Sequence, residues 1–133
     1  MSDLLAAILF GHLAGDYLLQ PVAMALGKSK PGITGFTECT CHCLLYSATV
    51  CLSLYFFIGT ASLAAAAAIF ASHWPIDRWS LANKWMALVK SRQPLVSYTD
   101  YKEIDAAFYA IVYAVTDNAL HLILMYAALQ NIL

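Results

Sequence analysis

Four apolar segments fill most of this chain of 133 residues, and each is close to the length that a membrane crossing requires. They cover positions 4–20, 36–58, 61–79 and 104–133, whereas a helix needs about 20 residues to cross the hydrocarbon core of a bilayer. Hydrophobic residues make up 62% of the chain and charged residues only 11%, which is more apolar than a typical soluble domain. The sequence therefore predicts an all-α integral membrane protein, folded as one bundle of four helices.

Proline and interfacial residues refine the boundaries of these helices. Pro21 ends or bends the first helix, because proline lacks the backbone N–H that an internal helical position uses. Trp79 and Trp85 suit the membrane interface, so the third helix is expected to continue along the surface until Gln93 and Pro94 break it. We predict a single domain over 1–133 with helices over about 4–20, 36–58, 61–90 and 101–132.

The positive charges predict an orientation. Apart from Arg78 at the end of the third apolar segment, the lysines and arginines lie in two connections, one after the first helix and one between the third and fourth: Lys28 and Lys30, then Lys84, Lys90, Arg92 and Lys102. Because such loops stay cytoplasmic, both termini should face the periplasm of a bacterial inner membrane, with Lys28 and Lys30 among lipid headgroups. The net charge of −1 and the lack of a basic patch argue against a nucleic-acid partner.

Each histidine of the chain has an acidic residue four positions away. The four pairs are His12 with Asp16, Glu38 with His42, His73 with Asp77, and Asp117 with His121. Residues four apart share one face of a helix, and with only eight acidic residues in the chain this regularity is improbable as coincidence. The pairs are either polar contacts that hold membrane helices together or parts of a common site.

A metal site is the stronger interpretation. An isolated carboxylate at mid-membrane costs at least about 2.5 to 3.5 kcal/mol, and a divalent cation offsets that cost. Imidazole and carboxylate ligands suit zinc, which we expect, or iron or manganese. The expected ligands are His12, Asp16, His42, His73, Asp77, Asp117 and His121.

Two further sets of residues receive roles in a hydrolytic site. Asp16, Asp77 and Asp117 are the candidate catalytic carboxylates, since a carboxylate beside a metal ion accepts a proton from water. The side chains expected to orient a substrate are Gln20, Arg78 and Asn118.

The run Cys39-Thr40-Cys41-His42-Cys43 looks like a second ligand cluster. Cysteines two positions apart on a helix point in different directions, so Cys41 cannot share a face with Cys39 and Cys43. We interpret these cysteines, and Cys51, as small polarizable packing residues between helices.

Several sequence blocks resemble the domain-of-unknown-function 3307 (DUF3307) family of small bacterial and phage membrane proteins, over most of the chain. They are His12 to Gln20, Lys28 to Lys30, His42, His73 to Arg78, and Thr116 to His121. The resemblance implies a membrane protein of several helices with this histidine and aspartate set, without an established activity. A looser similarity, in architecture and in histidine and aspartate usage, connects such proteins with membrane-bound metal-dependent hydrolases.

Three functions remain open from the sequence. The first is a membrane-embedded metal-dependent hydrolase of a phosphoester or lipid-linked substrate. The second is a proton or metal-ion carrier or channel, in which the same groups form a relay. The third is a non-catalytic assembly protein, and in each case the lipid bilayer is a partner and a homo-oligomer is possible.

Overall fold

The computed structural model describes residues 2–89 and 102–133, and all regular structure in this part of the chain is helical. The helices are α1 (Ser2–Leu13), α2 (Val22–Gly27), α3 (Gly32–Ile58), α4 (Leu63–Arg78), α5 (Leu81–Val89) and α6 (Lys102–Leu129), with a π-helical turn (Ala14–Leu18) following α1. The predicted all-helical class is confirmed. The expected break at Gln93 and Pro94, with the positive charges of Lys90 and Arg92, lies outside the described residues.

Two of the predicted helices are divided. The first changes to a π-helical turn after Leu13, and the extended backbone of Pro21 separates it from α2. The predicted helix over 61–90 ends at Arg78, because Ser80 adopts a left-handed backbone conformation with φ 48° before α5 begins. The break at Pro21 was predicted from the sequence, whereas the π-helical turn and the break at Ser80 were not, because they are features of the backbone conformation.

Four of the helices pack side by side around a common interior. Helix α3 packs against α1 and α4, and α6 packs against α4 and α1. Gly11 allows close approach, since a Cβ atom there would lie 2.9 Å from the Cα of Val50. The Ser53 hydroxyl also donates to the Ala7 carbonyl over 2.7 Å. The apolar layer of this interior consists of Ala7, Ile8, Tyr46, Val50, Leu54, Ala65, Ile69, Met125 and Leu129.

Large apolar side chains face outward while histidines face inward. Ile33, Phe56 and Leu63 are 77%, 75% and 87% exposed, whereas all four histidines are buried. Among the described residues, α3 and the segment 106–129 of α6 are long and apolar enough to cross a membrane. These features are typical of membrane association, since soluble monomers rarely expose so much contiguous apolar surface.

Candidate metal centre

The π-helical turn presents Asp16 to the interior. The Leu19 backbone N–H donates a 3.0 Å hydrogen bond to the carbonyl of Ala14, five positions earlier, which is the pairing of a π-helix. Gly15 lies directly against the ring of Tyr46, where an added Cβ would come within 2.7 Å of ring carbon Cδ2. Isolated π-helical turns are frequent at functional sites because they re-aim side chains. Here the turn directs the Asp16 carboxylate at α3 and α4.

Two imidazole nitrogens and two carboxylate oxygens converge beside this turn. His42 Nε2 lies 3.1 Å from Asp16 Oδ1 and 3.2 Å from Asp77 Oδ2. His73 Nε2 lies 3.7 Å and 3.1 Å from the same two oxygens, and the two nitrogens are 3.0 Å apart. Asp16, His42, His73 and Asp77, here called the four-ligand group, therefore come from three separate elements.

The four-ligand group fits a metal ion. Within the described part of the chain, Asp16 Oδ1 and Asp77 Oδ2 are buried and accept no hydrogen bond, although imidazole nitrogens lie close by. Ligands at about 2.0 to 2.2 Å from a tetrahedral zinc ion stand roughly 3.3 to 3.6 Å from one another, and the five distances given above, from 3.0 to 3.7 Å, are close to that spacing. The two imidazole nitrogens, which lie 3.0 Å apart, each face both carboxylate oxygens, and Asp16, His42 and His73 offer ligand atoms that all lie within 4.8 Å of one another.

Asp77 also faces a second group through its other oxygen. Asp77 Oδ1 lies 2.8 Å from Lys28 Nζ and 3.4 Å from His121 Nε2. His121 Nε2 in turn lies 3.7 Å from Asp117 Oδ2. Asp77, Asp117 and His121, here called the second group, offer ligand atoms that all lie within 4.8 Å of one another.

Lys28 was expected among lipid headgroups, and the structure places it differently. Its side chain is only 16% exposed and turns inward to Asp77. Burial disfavours the ammonium, but the Asp77 and Asp16 carboxylates outweigh burial and hold the pKa of Lys28 above its ordinary value. No regular spacing in the sequence connects Lys28 with these aspartates. The only sequence signal that Lys28 belongs to the site is that it lies in one of the blocks that resemble the family, Lys28 to Lys30.

His12 lies next to the four-ligand group but has protein partners on both ring nitrogens. The Asn118 amide nitrogen donates to the Ala114 carbonyl over 2.6 Å, which turns the amide oxygen toward His12 Nε2. His12 Nε2–H therefore donates to Asn118, and its Nδ1 accepts from the Tyr46 hydroxyl over 2.8 Å. His12 Nδ1 also lies 3.4 Å from Asp16 Oδ2, so this histidine, held by Tyr46 and Asn118, packs beside the centre. Tyr46, which the sequence analysis missed, lies four positions after His42.

Three of the four predicted pairs form at helical spacing, and the pair of Glu38 with His42 is replaced by other contacts. His42 faces Asp16 and Asp77, whereas the Glu38 carboxylate lies against Gly27, where an added Cβ would come within 2.7 Å of it. The four-residue spacing correctly predicted that Glu38 and His42 lie on one helix, α3. It did not predict which residues of other elements their side chains contact.

The remaining candidates are dispersed. Arg78 donates to the Lys30 carbonyl over 3.0 Å and so connects α4 to the loop before α3. Gln20 is half-buried, and its Nε2 atom has no hydrogen-bond partner among the described residues. The surroundings of Arg78 and Gln20 therefore do not indicate that either side chain binds a substrate.

The cysteines divide as the helical geometry predicts. Cys39 and Cys43 are buried with their sulfur atoms 4.0 Å apart, and Cys41 is exposed. Cys43 also lies beside the centre, because its sulfur is within 4.8 Å of ligand atoms of His73 and Asp77. The packing interpretation did not anticipate that position.

A protein-family model matches almost the whole chain. The model of a family described as "Protein of unknown function (DUF3307)" matches residues 4–133. No curated protein and no solved structure matches the chain. Since the matched range contains all three elements of the four-ligand group and nearly the whole sequence, the chain belongs to the DUF3307 family.

Proposed function

We propose that this protein crosses the bacterial inner membrane several times as a four-helix bundle of α1, α3, α4 and α6, with both termini on the periplasmic side. The outward apolar side chains of α3 and α6 support this placement, as does the length of these two helices. Lys28 and Lys30 then lie at the cytoplasmic ends of α2 and α3, as the positive-inside rule requires. His42 is ten positions into α3, which is about 15 Å below that end of the helix.

We further propose that the four-ligand group holds one divalent ion, zinc in the first instance and iron or manganese otherwise. The observation that carries this proposal is the convergence of two imidazole nitrogens and two unpartnered carboxylate oxygens in a buried space. Mixed nitrogen and oxygen ligands of this kind suit all three metals. His12, whose ring nitrogens have protein partners, is assigned a positioning role instead of a place among the ligands.

The proposed activity is hydrolysis of a phosphoester or lipid-linked substrate. A bound ion would lower the pKa of a water molecule that binds to it as a ligand additional to the four protein atoms, and it would supply positive charge for the reacting oxygen. Asp117, the most exposed of the three aspartates at 21%, accepts a proton at Oδ2. The His12 ring packs beside Asp16, with Nδ1 3.4 Å from Oδ2, and Tyr46 and Asn118 fix that ring. Substrate enters past Asp16, Lys28 and Asp117, the three charged side chains here that are not fully buried.

A proton or metal-ion carrier is the alternative that the same residues support. It requires a wet path to both sides of the membrane. Beyond Tyr46 the interior continues as the apolar layer, with Val50, Leu54 and Leu129 fully buried. That layer favours a site that opens to one side, as a hydrolase needs.

The test of the metal proposal is elemental analysis of protein purified in detergent without added metal. We expect bound metal in the wild type and its loss in His73→Ala. Glu38→Gln serves as the control, since it removes a half-buried carboxylate outside the four-ligand group. A wild type that holds no metal, even after reconstitution with zinc, iron(II) and manganese, would overturn the proposal.

The test of the hydrolase proposal uses metal-loaded protein and an aryl phosphodiester, followed by a phospholipid in mixed micelles. Asp117→Asn should retain metal and lose turnover by about 100-fold or more, as expected for loss of a proton acceptor. Equal turnover in this variant and in the wild type would contradict the assigned role. Metal without any turnover on either substrate, together with ion flux in proteoliposomes, would favour the carrier.

A further inference from the structure

We propose that the Lys28 ammonium occupies the place of a second cation, so that the centre binds one divalent ion in the native chain and two when Lys28 is replaced by an uncharged residue. This inference rests on the metal-binding part of the proposed function. It assigns a second, latent metal site to Asp77, Asp117 and His121, and it makes Lys28 the residue that determines how many ions bind.

Asp77 has the position of a bridging carboxylate. Its Oδ2 atom faces His42 and His73 at 3.2 Å and 3.1 Å, and accepts no hydrogen bond among the described residues. Its Oδ1 atom faces His121 at 3.4 Å and the Lys28 ammonium at 2.8 Å. One carboxylate thus has an oxygen for each of two cation positions, and a lysine nitrogen stands at the second.

His121 supplies an independent indication that the second group suits a cation. The residue is only 2% exposed, and neither of its ring nitrogens has a hydrogen-bond partner in the described part of the chain. Its Nε2 atom is directed at Asp77 Oδ1 and lies 3.7 Å from Asp117 Oδ2. Buried polar atoms are rarely left unpaired, and a nitrogen lone pair between two carboxylates is a metal-ligand arrangement.

The charges explain why one ion is enough in the native chain. Asp16, Asp77 and Asp117 contribute three negative charges, and one divalent ion with the Lys28 ammonium balances them when the histidines are neutral. A second divalent ion beside Lys28 would leave the buried centre with two excess positive charges. Uncompensated charge in a low-dielectric interior is strongly unfavourable, so the ammonium and the second ion exclude each other.

The experiment counts ions in Lys28→Met and in the wild type after loading with excess manganese(II) and removal of free metal. We expect one equivalent in the wild type and two in Lys28→Met. Lys30→Met is the matched control because Lys30 is exposed two positions away, and it should keep one equivalent. Adding Asp117→Asn to Lys28→Met removes a ligand of the second group and should return the count to one.

Electron paramagnetic resonance supplies a readout independent of counting. Two manganese ions that share a carboxylate stand roughly 3.5 to 4 Å apart and are exchange-coupled, whereas a single ion gives an uncoupled six-line spectrum. We expect the coupled spectrum in Lys28→Met alone. The wild-type spectrum in excess manganese tests the inference even where Lys28→Met fails to fold, since a coupled wild-type signal overturns it.

The outcomes separate the two proposals. One equivalent in both wild type and Lys28→Met overturns the latent site and leaves the four-ligand site intact. Two equivalents in the wild type show that Lys28 and a second ion coexist, which also overturns the inference. No metal in any of these proteins overturns the proposed function itself.

Discussion

The apolar layer and the candidate metal centre lie in the same bundle of helices, but their side chains make different kinds of contact. In the apolar layer, Gly11 brings α1 against Val50, and Ser53 bonds to the Ala7 carbonyl. In the centre, Asp16 Oδ1 and Asp77 Oδ2 are buried and lie close to imidazole nitrogens, yet neither oxygen accepts a hydrogen bond from the described residues. We therefore expect packing to hold the helices in place without an ion, and the proposed ion to fix the arrangement of the centre. We expect substitutions in the two regions to separate stability from metal binding.

Tyr46 connects the two regions. Its ring is fully buried in the apolar layer and stacks on His73 with centroids 3.7 Å apart. Its hydroxyl donates to His12, and its ring edge contacts Gly15. Through this one side chain, the apolar layer fixes the orientation of residues from α1, α4 and the π-helical turn.

The largest effect is expected for Asp77→Asn. The substitution removes a charge that faces both cation positions and leaves the Lys28 ammonium without its 2.8 Å partner. Metal affinity should fall by more than 100-fold, beyond the 10- to 100-fold typical of residues that only support a ligand. Elemental analysis and helical circular dichroism measure the two properties, and helix content should persist because the apolar layer is intact. Retention of metal in Asp77→Asn would place the ion elsewhere.

A pair of glycine substitutions separates the two regions directly. Gly15→Ala forces a methyl group into the Tyr46 ring and disturbs the π-helical turn, so metal affinity should fall by about tenfold or more. Gly11→Ala pushes α1 away from the Val50 backbone and should lower stability by about 1 to 3 kcal/mol with unchanged metal content. Metal titration and thermal unfolding of both variants provide the check. Equal loss of metal in the two would mean that the regions are not separable.

Residue spacing predicted those contacts that one helix determines by itself. Asp77 follows His73 by four positions, and the two side chains meet at 3.1 Å because helical geometry alone brings them together. The same rule failed for Glu38, whose surroundings depend on where α2 lies. Lys28 was missed for the same reason, since its contact with Asp77 depends on the path of a loop. Hydropathy likewise did not reveal the breaks near Ala14 and Ser80, which arise from backbone conformation.

A smaller effect is expected for Tyr46→Phe. The aromatic ring and its stacking on His73 remain, but His12 Nδ1 loses the hydroxyl that now donates to it. An unpaired buried acceptor costs about 1 to 3 kcal/mol, and metal affinity should fall by about tenfold through the loosened Asp16. Tyr55→Phe, at an exposed position of the same helix, is the control and should change neither quantity. A loss of metal as complete as in Asp77→Asn would make Tyr46 part of the ligand set.

The smallest effect is expected for Cys43→Ser. Its sulfur lies near His73 and Asp77, so a thiolate ligand is the geometric alternative to Asp16 and His42. A thiolate would add a fourth negative charge to a centre that the proposed divalent ion and Lys28 together would neutralise, which disfavours it. Cys43→Ser should therefore retain one equivalent of the same metal and change stability by less than about 1 kcal/mol. The exposed Cys41→Ser is its control. Loss of metal in Cys43→Ser alone would assign the ion to Cys43, His73 and Asp77 of α3 and α4. Asp16, in the π-helical turn, would then be a proton acceptor and not a ligand.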